Sequence, residues 1–173
     1  PNPILLNSIE KDLKKIISNI RFYNNALSDK DQLISLKVPI RNKSYDKQNY
    51  EEYFQMGKAS IHAENNMDEF ETFDIESKKL DNFIFTNKIS FIKIDVEGHE
   101  TEVIKGSEQT IKDNKPILLV EIEEQYTQKK VEDTLKYINS LGYNSFYFSN
   151  NRLNNTDTLK NLNLFNNFIF KPL

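Results

Sequence analysis

An α/β fold with a mostly parallel sheet and helices on both faces follows from three observations. Strand-like and helical segments alternate through the second half of the chain, in the rhythm strand, helix, strand, helix, strand. The two central strand segments, "ISFIKIDV" (89–96) and "KPILLVEIEE" (115–124), are near-continuous apolar runs, as in strands buried on both faces. Each is followed by apolar residues at helical spacing, which is how a crossover between parallel strands reads.

The elements come in this order. In "LLNSIEKDLKKIISNI" (5–20), Leu5, Leu6, Ile9, Leu13, Ile16, Ile17 and Ile20 mark an amphipathic helix. "RFYNNAL" (21–27) reads as a strand ending at the turn signal "SDKD", and "DQLISLKVPI" (31–40) as another, closed by Pro39. Residues 41–76 are polar and weakly patterned, an insertion within one domain spanning 1–173. "KKLDNF" (78–83) leads into the strand at 89–96. "EGHETEVIKGSEQTIKDN" is a helix with Val103, Ile104 and Ile111 facing inward. Pro116 opens the strand at 115–124, a position where proline is tolerated. Val131, Leu135, Ile138 and Leu141 mark a helix that stops at Gly142. "YNSFYFS" (143–149) is a strand, "NRLNNTDTLKNLNLFNN" a polar loop, and "NNFIFKP" the last strand.

Composition narrows the function. A chain of 173 residues, 38% hydrophobic and 28% charged, is of ordinary globular type. Its net charge of -3 offers no field to gather nucleic acid or an anionic membrane surface. No apolar run approaches the ~20 residues of a membrane helix. The lack of cysteine excludes disulfides, thiolate catalysis and cysteine zinc sites, and suits a reducing cytoplasm. The four glycines, Gly57, Gly98, Gly106 and Gly142, lie too far apart for a glycine-rich phosphate loop.

One stretch carries chemistry. "FIKIDVEGHETEVIKG" (91–106) puts a lysine in an apolar strand and ends it on two carboxylates and a glycine. In an open parallel sheet, ligands bind beyond the carboxyl ends of the strands. Asp95 and Glu97 end one strand, and Glu121, Glu123 and Glu124 end the next, so neighbouring strands would crowd these acids on one rim. Such a cluster suits a general base or a divalent metal. Plainer roles stand beside this: Glu100 as a first-turn acid favoured by the helix dipole, His99 as a solvated surface residue, Glu123 and Glu124 as loop acids, and Lys93 as a partner for Asp95 on the same strand face. Glu121 interrupts an apolar run that leaves it little exposure.

These residues resemble the signature of the FkbM-type S-adenosylmethionine-dependent methyltransferases. That family's strand of the form "K-I-D-V-E-G-x-E", its "E-V-(I/L)-x-G" and its "P-x-(I/L)-x-x-E" fall on Lys93, Ile94, Asp95, Val96, Glu97, Gly98 and Glu100, on Val103 and Gly106, and on Pro116 and Glu121. "NNALSD" (24–29), "KASI" (58–61), "KKLDNF", "LGYNSFYF" and "NNFIFKP" match its lesser landmarks in order. The resemblance implies a Rossmann-like class I methyltransferase fold and methyl transfer from S-adenosylmethionine to a hydroxyl of a sugar or other small glycan-like substrate. Asp95 would be the base or a substrate-orienting carboxylate, Glu97 and Glu121 would shape the rim or bind a metal, and His99 would move a proton. Asn25 and Ala26 would approach the adenine, and the stretch 45–54 would form a substrate lid or a plain loop.

The family's glycine loop and ribose-binding acid have no counterpart here, and Pro1-Asn2-Pro3 resembles the end of the segment carrying them. The reading is a domain incomplete at its N-terminus. Strand order 3-2-1-4-5-7-6 without strands 1 and 2 would leave 89–96 with a bare edge, covered by residues 21–27 or 31–38, or by a second chain in a homodimer. The rivals are an inert fold fragment, an α/β interaction module and another Rossmann-like enzyme such as a nucleotide-sugar transferase.

Overall fold

The structure is a computed structural model that describes residues 2–39, 70–122 and 130–173. The segment 45–54, "KASI", Gly57, Glu123 and Glu124 lie outside the described residues. The chain divides into two compact units, residues 1–26 with 31–77, and residues 27–30 with 78–173.

In the first unit, α1 (Pro3–Leu13) is shorter than the predicted helix. Turns at Lys15 and Ile16 end it, and Ile16 is exposed although it continues the helical spacing. The strand predicted at 21–27 reduces to β1 (Ala26–Leu27). β2 (Gln32–Pro39) ends at the predicted proline and pairs antiparallel with β3 (Phe70–Lys78), from Gln32↔Ser77 to Pro39↔Phe70. The sheet order is β1-β3-β2. β3 lies largely within the segment expected to be a loop. Its inward residues Phe73, Ile75 and Ser77 alternate with Asp74 and Glu76, and those acids hide the period of two from a hydrophobicity reading. Ala26, Leu36, Val38 and Ile75 form this unit's small core.

The second unit holds β4 (Phe91–Ile94), α2 (Glu100–Lys105), α3 (Glu108–Asn114), β5 (Ile117–Glu121), α4 (Val131–Ser140), β6 (Tyr143–Ser149), β7 (Arg152–Asn155) and β8 (Asn167–Pro172). The sheet order is β4-β5-β8-β6-β7. β4 and β5 are parallel, whereas β8 runs antiparallel to both β5 and β6, and β7 antiparallel to β6. The sheet is therefore mixed, not mostly parallel. Its β4-β5-β8-β6 portion reproduces the 4-5-7-6 order that the resemblance implies, with the last strand inserted between β5 and β6.

The helices of this unit also depart from expectation, because all three cover one face. Ile94, Leu118, Val120, Phe168 and Phe170 on that face form a single core with Val103, Ile104, Ile111, Val131, Leu135 and Ile138 of the helices. The chain advances from β4 to β5 to β6 in one direction across the sheet, and right-handed crossovers then keep every helix on the same side. Each fully buried Leu, Ile or Phe side chain contributes about 1.5–3 kcal/mol of transfer free energy. On the other face Phe91, Ile117 and Phe148 are exposed.

Local chemistry explains the remaining differences. The single helix expected over 97–114 is two helices, broken at Gly106–Ser107. The Ser107 hydroxyl donates to the Val103 carbonyl at 2.6 Å, and the Asp81 carboxylate accepts from the Gln109 and Thr110 amides at 3.1 and 2.8 Å, restarting the chain as α3. Gly106 has no alternative, since a Cβ there would lie 1.9 Å from the Ser28 carbonyl oxygen. α4 stops at Gly142, whose φ of 92° is the left-handed value expected after a helix. The predicted polar loop contains β7, joined to β6 by Asn150 and Asn151 at φ 51° and 57°, a two-residue turn that asparagine tolerates. Among the described residues β4 is an edge strand of its sheet, and neither 21–27 nor 31–38 pairs with it, the first of the two arrangements expected. Ala26–Leu27 and Gln32–Pro39 pair within the other sheet instead.

Candidate functional site

The parallel register of β4 and β5 builds the rim. The register runs to Ile94 opposite Val120, and the residues that follow are Asp95, just past β4, and Glu121, the last of β5. Adjacent strands are ~4.8 Å apart, and residues level in a parallel pair point to the same face. Asp95 and Glu121 are thus the acids that follow the last printed pair of two adjacent parallel strands, Ile94 and Val120. Lys93 bonds Asp95 at 2.5 Å, the pairing expected of their shared strand face. The Asp95 side chain remains 40% exposed.

From Asp95 the chain turns sharply into α2. Glu97 has φ 51° and Gly98 φ 95°, so two consecutive residues occupy the left-handed region. For glutamate this conformation costs about 1–2 kcal/mol and needs support from its surroundings. Glu100 provides it. Its Oε1 accepts from the Gly98 amide at 2.8 Å, and the residue is only 5% exposed. Burial pushes the Glu100 carboxyl above its ordinary range, against the two backbone amides it accepts from, and Glu102 and Asp95 add to the rise. A first-turn acid would be solvated and would not show this; Glu100 is a buried brace for the loop carrying Asp95 and Glu97. Its one sequence signal was spacing, two residues beyond the glycine.

His99 is not a solvated surface residue. It takes the N-cap position of α2 with a side chain only 12% exposed. Its Nε2 lies 2.9 Å from Ser28 Oγ, and its Nδ1 lies 3.7 Å from Glu102, ion-pair distance when the imidazole is protonated. Ser28 is buried, its amide donates to the Lys78 carbonyl, and its hydroxyl also reaches Asp29 at 3.2 Å. Sequence reading passed over Ser28 as part of a turn; it is 71 positions from its histidine partner.

Asn25 and Ala26 belong to the first unit. There the Asn25 amide donates to Glu76 at 3.4 Å and Ala26 is buried in the small core. Among the described residues, no three His, Asp or Glu side chains gather in a geometry that would hold a metal. No described helix is long and apolar enough to cross a membrane.

Comparison with known proteins agrees with this architecture. The crystal structure of methyltransferase FkbM from Methylobacillus flagellatus KT superposes with a TM-score of 0.56 at 16% identity, covering 99% of this chain and 34% of that one. The chain thus spans about a third of that protein's length, and at this identity the likeness is one of fold. No curated protein matches. The family model described as the methyltransferase FkbM domain matches residues 1–145 of the 173, and the chain therefore belongs to the FkbM methyltransferase family.

Proposed function

We propose that the protein transfers a methyl group from S-adenosylmethionine to a hydroxyl of a sugar or glycan-like acceptor. The observation that carries this reading is the Asp95–Glu121 rim at the carboxyl end of two parallel strands, beside a strained Glu97–Gly98 turn. When bound, S-adenosylmethionine supplies an electrophilic methyl carbon on its sulfonium. The four scattered glycines provide no loop to cradle it, so the residues at hand fit the acceptor side of the reaction rather than the donor side. On that side, Asp95 accepts the proton of the acceptor hydroxyl, and Lys93 holds the carboxylate in place. Glu121 and Glu97 bond neighbouring hydroxyls and fix the ring. Glu100 holds the turn, and His99, anchored to Ser28, fixes the start of α2 and receives a proton at Nδ1.

The glycine count favours a second reading, in which this chain alone is an inert piece of the fold. Calorimetric titration of S-adenosylhomocysteine into the 173-residue chain separates the two. Micromolar binding, with methyl transfer to hydroxylated acceptors falling about 10²–10⁴-fold in Asp95→Asn, supports the transferase. Absence of binding supports the inert reading for this chain, and undiminished transfer by Asp95→Asn removes Asp95 as the base.

A further inference from the structure

We infer that the free edge of β4 pairs antiparallel with the β4 edge of a second copy of this chain, in one register chosen by Lys93 and Asp95. The inference stands apart from the transferase reading. The free edge follows from the ladder with β5. Phe91 lies level with Ile117, and the Ile117 amide donates to the Ser90 carbonyl at 2.9 Å. In a parallel ladder the backbone groups of alternate residues face the neighbouring strand. Ile92 and Ile94 therefore turn theirs toward β5, as the Ser90 carbonyl does. Phe91 and Lys93 turn theirs away, and among the described residues β4 has no strand on that side. The bond from Lys93 Nζ to Asp95 at 2.5 Å puts both side chains on one face, so the alternation carries on to Asp95. An edge of unpaired amides and carbonyls is a template for another strand.

Self-complementarity sets the occupant. Directly opposite residues exchange hydrogen bonds only where the backbone groups of both face the partner, so a two-fold dimer must set a residue of this edge opposite its own copy. Centring on Lys93 would oppose lysine to lysine, and centring on Asp95 carboxylate to carboxylate, both unfavourable. Centring on Phe91 needs the Ile89 amide, which already donates to Asn114 at 2.9 Å. Centring on Ile92 would set Ile94 against the partner's Ser90. Centring on Ile94 sets Lys93 against the partner's Asp95 and, by symmetry, Asp95 against the partner's Lys93.

That register also matches the other face. Ile94 meets its own copy and Ile92 meets the partner's Val96. Ile92 and Val96 are only partly buried against the core within one chain, so pairing extends that core through both copies. A lysine alone on an edge repels a second copy. Lys93 followed two residues later by Asp95 repels every register but the complementary one. Both side chains are accessible for it, at 50% and 40% exposure, and each Asp95 then lies between two lysines, its own and the partner's.

The test is sedimentation of the 173-residue chain over roughly 1–500 µM. Mass should rise with concentration from 20.4 kDa toward twice that value. Asp95→Lys alone and Lys93→Asp alone should each weaken self-association about tenfold or more, because both cross-strand charge pairs become repulsive. Mixing those two variants should give a heterodimer, since a chain with two lysines then faces a chain with two aspartates. The double exchange, Lys93→Asp with Asp95→Lys, should dimerise about as tightly as wild type. Hydrogen exchange of the Lys93 amide should slow as the dimer fills. Monomer throughout the range, a dimer indifferent to both single reversals, or reversed variants that do not recognise one another would each overturn the proposal. A Lys93 amide equally protected in monomer and dimer would also overturn it, by showing that the chain covers its own edge.

Discussion

The starts of α2 and α3 look alike in sequence and differ in physics. Each has a glutamate in its first turn, Glu100 and Glu108, where the helix dipole favours an acid. Glu100 is buried, braces a strained turn through the Gly98 amide, and has its carboxyl pushed up by burial. Glu108 lies at the surface, where it accepts a short hydrogen bond from the Tyr137 hydroxyl and pairs with Lys112 at 3.0 Å. The Tyr137 bond and then Lys112 hold its carboxyl below the ordinary range, while burial and Glu108 push the Tyr137 hydroxyl well above its own. One motif therefore serves two ends: a local helix preference is met in both places, and at α2 it is subordinated to holding the strained Glu97–Gly98 turn.

The largest break in this comparison lies between the two helices. Gly106→Ala would set a Cβ 1.9 Å from the Ser28 carbonyl and should cost at least the ~1–3 kcal/mol typical of overpacking, because backbone stands in the way. A thermal melt within a few degrees of wild type would contradict the close approach.

Next comes removal of the brace. Glu100→Ala leaves the buried Gly98 amide without its acceptor and should lose about 1–3 kcal/mol in urea unfolding. Glu108→Ala, at a surface pair, should lose less. Equal losses would erase the distinction between the two helix starts.

Glu100→Gln sharpens it, keeping an acceptor while removing the charge. A carboxyl whose folded pKa is raised contributes stability that is fully present below its unfolded value and is lost as pH rises through the folded value. The variant should therefore gain on wild type as pH climbs above the ordinary glutamate range and then reach a plateau. A stability difference that is flat with pH would mean that Glu100 is not desolvated.

The smallest expected effect is that of Tyr137→Phe. It should cost about 0.5–1.5 kcal/mol, toward the lower end because Glu108 is partly exposed. A carboxyl with a depressed pKa contributes stability that is present above its unfolded value and is lost as pH falls through the folded value. Removing the hydroxyl should therefore flatten the acid side of the stability profile. An unchanged acid limb would show that Lys112 alone governs Glu108.

The adjacent parallel strand ends and the Lys93–Asp95 pair were readable in advance. Asp95 and Glu121 were recognisable because a parallel pair puts strand ends at one edge, and Lys93 because residues two apart share a face. Glu100 and His99 were misjudged for a common reason: both look like ordinary first-turn residues, and only packing decides whether such a side chain meets water. β3 and β7 escaped because charged and amide side chains occupy their outward positions, so that alternation does not register as hydrophobic periodicity.

The sequence by itself determined the helices and strands whose inward residues repeat at 3.6 or 2, the stop at Gly142, and the motif that assigns the family. These are local properties, set by neighbours within a turn or two of the chain. The tertiary structure alone decided that β8 inserts antiparallel between β5 and β6, that the three described α-helices of the second unit share one face, and that Ser28 meets His99 across 71 positions. Those outcomes depend on which distant surfaces exclude water together, and no local pattern records that.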